Sequence, residues 1–207
     1  YVGGLARMPL VLVTRPDLPV ENLQDFLALA ARQPDGLTYA SAGPGSPHHV
    51  AMEMLAQQAN VKMVHVPYKG AAPAVQDVMS GVVDAMLLDM PGGIAHMKSG
   101  KLKLLAAAMP ERLAQLPEVP TMAQAGLPGF VAFAWQGVVA PAGTPQPVLD
   151  RLDTALRAAL ASQEVMQRFE QLGVEPMPMP PQQFRQFVQS ETARWAKTIE
   201  TAGIKLE

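Results

Sequence analysis

The sequence predicts an α/β fold, with mostly parallel sheets and helices on both faces, and three observations carry that prediction. Short β-rich runs and helical repeats alternate about five times before residue 110, joined by short connections. Apolar residues make up 49% of the 207-residue chain and charged ones 16%, enough for one large core or two small ones and too few charges for a disordered chain. After residue 110 the alternation stops, and three helical patterns follow with a single strand to accompany them.

Taken in order, PLVLVT (9–14) is a short strand closed by Arg15-Pro16-Asp17-Leu18-Pro19. Asn22 caps a helical pattern with Leu23, Phe26, Leu27 and Ala30 on one face, stopped at Pro34-Asp35-Gly36. LTYA (37–40) is the second strand, the loop SAGPGS (41–46) follows it, and the next helix carries Val50, Ala51, Met54 and Leu55. VKMVHV (61–66) is a strand, PYKG (67–70) a loop, and 72–80 a helix ended by Gly81 just past its last turn. VVDAMLL (82–88) is a strand that turns at Asp89-Met90-Pro91-Gly92-Gly93, and a short helix leads to the strand KLKLLAAA (101–108). In sheets of this kind ligands sit beyond the C-terminal ends of the strands, so the loops 41–46, 67–70 and 89–93 are expected to converge on one crevice edge.

Residues 116–130 read as turns with one brief helix, FAWQGVVA (133–140) as a strand, and 145–160, 162–172 and 181–202 as helices with no strand between the last two. Helices without strands of their own pack on a sheet made elsewhere. The C-terminal third therefore reads as part of a second domain.

Composition narrows the function classes. A formal net charge of −2, with no run of Lys or Arg, lacks the basic patch that nucleic-acid binding needs. No stretch of apolar residues is long enough for a membrane-spanning helix. The absence of cysteine excludes disulfides, thiolate metal sites and cysteine catalysis, and leaves the compartment open. The chain opens at Tyr1, so a targeting segment is expected to lie outside it.

The stretch SAGPGSPHH (41–49) admits four chemistries. Gly43-Pro44-Gly45 lacks the spacing of a dinucleotide or triphosphate loop. Ser46 and His49 could meet as nucleophile and base, but no nucleophile elbow surrounds Ser46. Serine before proline is instead the preferred start of a helix, the hydroxyl accepting from the His49 backbone N–H. His48 and His49 point about 100° apart on a helix and do not share one ion, while His65 and His96 are isolated. No metal or cofactor is expected.

That leaves an anion site: a glycine loop that allows close approach, then a helix start with free N–H groups and a positive dipole end. Tyr68 and Lys69 in the next loop add a hydroxyl and a point charge, and Asp89 could take an ammonium or hydroxyl of the same ligand. Each has a plainer reading: Lys69 solvated, Tyr68 packing, Asp89 only a helix cap.

The order of the pieces resembles one family: the Bug-type receptors, extracytoplasmic solute-binding proteins of tripartite tricarboxylate transporter systems. The likeness runs through Tyr39–Ser46, His49-Val50-Ala51, Glu53, His65–Gly70, Pro73-Ala74, Asp77 and Gly81–Asp84. It returns in Leu116–Thr121, Ala125–Phe130, Trp135-Gln136-Gly137, Ala140–Pro145, Glu191, Trp195 and Ala202-Gly203-Ile204. The resemblance implies a two-lobed, Venus-flytrap protein of periplasmic type II topology. Such a protein is exported to the periplasm, does no chemistry, and delivers a small carboxylate (a di- or tricarboxylate, an amino acid or a related organic acid) to membrane transporter subunits.

It also implies ligand contacts at Ser41, Ala42, Gly43, Gly45, Ser46, His49, Tyr68, Lys69, Gly70 and Asp89, the loops the residues themselves single out. Residues 1–12 are expected to be a crossover from a first lobe, 13–130 the second lobe complete, and 131–207 the C-terminal part of the first. The family's N-terminal segment, with its signal peptide and most first-lobe strands, is expected to be missing here. On that expectation Leu152, Leu156, Phe169, Phe184 and Trp195 are left exposed, binding is weak, and the bare face drives oligomerisation. A sensor with a signalling partner and a Ser46–His49 hydrolase are the alternatives.

Overall fold

The computed structural model describes residues 1–205. Its first strand, β1 (Gly3–Thr14), is twelve residues long and belongs to two sheets. Its N-terminal half pairs antiparallel with β6 (Phe133–Val138) and with the two-residue β7 (Glu175–Pro176). Its C-terminal half, from Leu10 onward, pairs antiparallel with β4 (Ala85–Asp89) and β5 (Lys103–Ala107). Beyond β4 lie β2 (Leu37–Ser41) and β3 (Met63–Pro67), giving the order β3-β2-β4-β1-β5. Strands β2 to β5 all point one way and β1 runs against them, so the sheet is mixed through that one strand.

Helices cover both faces because β1 and β4 send alternate side chains to opposite sides. Leu10, Leu12, Ala85 and Leu87 join one core with α1 (Leu23–Arg32) and α2 (Pro47–Ala59). Val11, Val13, Met86 and Leu88 join the other with α3 (Ala71–Met79) and α4 (Met90–Lys98). All of these side chains are essentially inaccessible, and each Leu, Val and Met among them contributes roughly 1.5–3 kcal/mol by its burial. The remaining helices, α5 (Gln146–Leu160), α6 (Gln163–Leu172) and α7 (Pro181–Ala202), follow β6.

Several elements depart from their sequence pattern for identifiable reasons. Strand β1 begins six residues before PLVLVT, because Gly3 and Gly4 are strand residues kept small by a neighbour. A Cβ on Gly3 would meet the Met179 carbonyl at 2.9 Å, and one on Gly4 the Met177 carbonyl at 2.6 Å. Strand β7 hides in the proline-rich EPMPMP, as an edge pairing with Ala6 and Arg7. The brief helix expected within 116–130 is a set of turns: Thr121 Oγ1 accepts from the Gln124 N–H as a helix cap would, but Gly126 turns left-handed (φ 97°) and ends it.

Phe184, expected to be bare, is buried. Its ring lies over Gly137, edge-on to Tyr1 (5.7 Å) and Trp135 (5.8 Å). Trp195 is partly covered and donates to Glu191 at 2.9 Å. On α5 and α6 Leu152 (40%) and Met166 (42%) are exposed, whereas Leu156 and Phe169, also expected to be bare, are half-buried.

Gly137 makes the Phe184 packing testable, since a Cβ there would sit 2.0 Å from the ring. Gly137→Ala should lower stability by about 1–3 kcal/mol in urea unfolding, and Phe184→Leu added to it should recover part of that loss. A neutral Gly137→Ala would contradict the packing.

Candidate functional site

Because β2, β3 and β4 are parallel neighbours, the loops after them leave one sheet edge side by side. Two main-chain bonds join the first two loops: Tyr68 N–H donates to the Ser41 carbonyl at 3.1 Å and Gly70 N–H to that of Ala42 at 3.3 Å. The first and third are joined by His48 Nε2 and Asp89 Oδ2 at 2.8 Å. The three loops therefore converge as the sequence predicts.

Each loop delivers a helix start. In the first, Gly43 (φ 125°) and Gly45 (φ 71°) take backbone angles that side-chain-bearing residues avoid. Ser46 then caps α2, its hydroxyl accepting from the His49 N–H at 3.4 Å, with Pro47 behind it. In the third, Asp89 caps α4 by accepting from the Gly92 N–H at 2.7 Å. The second differs: Gly70 (φ 112°) opens α3 with no side-chain cap, and the space where its Cβ would point is open. Lys69, beside that uncapped start, is exposed and forms no ion pair among the described residues.

Two predicted contacts are already engaged. The Tyr68 hydroxyl donates to Asp77 Oδ2 at 2.6 Å, which leaves it an acceptor and not a donor toward an anion. Its pKa is pushed up to about 12, by burial and by that bond. Burial acts to raise the Asp89 pKa, but the His48 bond and the Gly92 N–H outweigh it and hold the carboxyl below its usual range. The plainer reading of Asp89 as a helix cap thus holds, with the His48 pair added to it.

Beneath the loops Ser41 and His49 are joined by His65 and Tyr39, a grouping the sequence does not reveal. His65 stacks on His49 with ring centroids 3.6 Å apart, and Tyr39 lies against both, 5.1 Å from His65 and 6.2 Å from His49. His65 Nε2 lies 2.6 Å from Ser41 Oγ, while His49 Nδ1 accepts from the Gly45 N–H at 3.1 Å. The Tyr39 hydroxyl donates to Glu53. Burial lowers the pKa of both histidines, that of His65 to about 4 with the help of the neighbouring ring, and burial and the Glu53 bond raise that of Tyr39. The available signal was parallel register: Tyr39 pairs with His65, so Tyr39, Ser41 and His65 share a sheet face.

Neither serine is a working nucleophile. The Ser46 hydroxyl takes the His49 backbone N–H, and the ring nitrogen next to it is occupied by Gly45. Ser41 does meet an imidazole but is fully buried. A cavity of about 310 Å³ adjoins the edge, between Gly45, Pro47 and Val50 on one side and Phe133, Trp135 and Trp195 on the other. Of the ten predicted contact residues Gly45 lines it and the other nine do not; Ser41 and His49 among them are buried, and Lys69 is exposed.

Residues 1–204 match the family described as "Tripartite tricarboxylate transporter family receptor" (TctC). The chain belongs to this family. Among curated relatives, the UPF0065 protein in the tcbD-tcbE intergenic region of Pseudomonas sp. (strain P51) is 39% identical over 195 residues, covering 94% of this chain and 58% of its own. Protein BugT of Bordetella pertussis (strain Tohama I) is 36% identical over 206 residues, 100% of this chain and 63% of its own. The chain thus spans about three fifths of the length of these relatives. Among solved structures, "R. palustris Rpa4515 with adipate" superposes with a TM-score of 0.90 at 33% identity, over 98% of this chain and 68% of that one. "MatC (Rpa3494) from Rhodopseudomonas palustris with bound malate" does so with a TM-score of 0.86 at 35% identity, over 96% and 68%.

The Asp89 linkage predicts a pH signature. A carboxyl whose folded pKa is depressed adds stability above its ordinary value, near 3.8, and loses it as pH falls through the folded value. Asp89→Ala should cost about 2 kcal/mol at pH 7, from the lost cap and the orphaned His48. The gap to the native chain should narrow below pH 3.8, whereas Asp89→Asn, which keeps a cap, should cost less.

Proposed function

We propose that this chain is the ligand-capturing part of a periplasmic receptor that binds a small carboxylate and hands it to the membrane subunits of a tripartite tricarboxylate-type transporter. The observation that carries the reading is the meeting of three helix starts on one sheet edge, one uncapped and next to an exposed lysine. Similarity to the solved structures with adipate and with bound malate supports a carboxylate as what belongs there.

In this proposal the free amides at the start of α3, with Lys69, take a carboxylate. The Ser41, Ala42, Gly43, Gly45, Ser46 and His49 stretch shapes the wall beside it together with Gly70. Tyr68 and Asp89 are acceptors for a hydroxyl or ammonium elsewhere on the ligand. No bond is made or broken; the ligand shifts an equilibrium between open and closed forms by its unequal contacts with them. The lobes proposed are 13–130 and a second to which 131–207 contributes, of which 206 and 207 lie outside the described residues. Residues 1–12 are the proposed crossover between them.

The test is a thermal-shift screen at millimolar concentrations of acetate, malate, adipate, citrate, nicotinate and amino acids. At least one carboxylate should raise Tm by mass action. Ala72→Glu, placing a carboxylate of the chain's own at the exposed first turn of α3, should leave the unliganded Tm equal or slightly higher and abolish the shift. No response from any carboxylate, or an unchanged response in Ala72→Glu, would overturn the reading.

A further inference from the structure

The stacked histidines hold the first loop through its amides. Gly45 N–H donates to His49 Nδ1, so the His49 proton sits on Nε2. Gly43 N–H donates to Ser41 Oγ at 3.1 Å, and that oxygen bonds His65 Nε2. The two left-handed glycines that shape the loop are thus each tied to one member of the pair.

A proton added to this pair meets opposition from several sides. On His49 Nδ1 it would set a donor against the Gly45 N–H that now donates there. His49 stands in the first turn of α2, where the dipole end is already positive. With rings 3.6 Å apart, a charge on one excludes a charge on the other. Of the charged groups packed around them, Glu53 on α2 favours a proton, but its carboxylate is shared with Tyr39 from β2. His48 turns away to Asp89 on α4, Asp84 at the far end of β4 is held by Arg15 and Thr38, and on α7 Glu191 pairs with Arg194. The net lowering of both histidine pKa values agrees with that balance.

We infer that the His49–His65 stack is an acid-sensitive clamp on the Gly43–Gly45 loop: uncharged, it holds the loop in the form that captures ligand, and on taking one proton it releases the loop and weakens carboxylate binding. The second half of this rests on the loop being part of the capture site; the first half does not. Binding then couples to pH, since a carboxylate captured by the held loop and a proton on the clamp disfavour each other. His49 acts here as a positioning residue through Gly45.

The experiment follows the Gly43 and Gly45 amide resonances of the ligand-free chain from pH 7.5 to 4.5, with adipate affinity measured by calorimetry over the same range. The Gly45 resonance should move in one protonation step with its midpoint below 6.5, and adipate binding, corrected for the fraction of the ligand still doubly ionised, should weaken about tenfold toward the acid end. His65→Gln, which removes the stacked partner, should move that step toward 6.5. His49→Gln should abolish it in the resonance, and should leave only the slope of affinity that adipate's own carboxylate titration produces. A Gly45 amide indifferent to histidine protonation, or an affinity slope in folded His49→Gln equal to that of the native chain, would overturn the clamp. If the step is present but no carboxylate of the panel binds at any pH, the clamp on the loop stands and the carboxylate reading of the site falls.

Discussion

The pairing of β1 with two sheets is the constraint on which the rest of the structure depends. Up to Pro9, which lies opposite Phe133, the strand belongs with β6 and β7; from Leu10, opposite Asp89, it belongs with β4 and β5. The point where it changes sheets therefore coincides with the C-terminal end of β4. The edge that carries the three loops opens toward the second sheet, and the cavity next to Gly45 is walled by Phe133 and Trp135 from β6. A site at that junction feels any change in the angle between the two sheets.

The same strand explains why the fold tolerates so polar an edge. Its alternating Leu and Val side chains feed two cores, so the sheet is secured from both faces without help from the loops. The loops are then free to carry groups that are poor for packing: left-handed glycines, an uncapped helix start, and stacked imidazoles held uncharged by burial. Polar groups under the edge are paired with one another, Tyr39 with Glu53, Ser41 with His65, His48 with Asp89. Such pairing stiffens the loops while the start of α3 keeps no side-chain cap.

Much of this was legible in the residues. The alternation of strand and helix, the Ser46-Pro47 start and the three converging loops follow from local rules of capping, turn chemistry and strand order. What was hidden depended on contacts distant in sequence. Gly3 and Gly4 look like strand breakers until the 177–179 main chain is seen crossing them. Phe184 looks exposed until Gly137 is seen beneath it. His65 looks isolated because its partners, Ser41 and His49, lie in other elements, and only the register of β2 against β3 brings them together. The sequence singles out Tyr68 as a hydroxyl near the edge but not the direction of that hydroxyl, since Asp77 takes its proton.

The central claim, that this sheet edge is where a small carboxylate is captured, is tested most directly by mapping amide chemical-shift changes while a dicarboxylate is titrated into the isotope-labelled protein. The account predicts that the largest changes fall in 42–49, 68–72 and 90–93, strongest at the uncapped start of α3. Changes concentrated instead on the exposed faces of α5 and α6, or spread evenly over the chain, would contradict it.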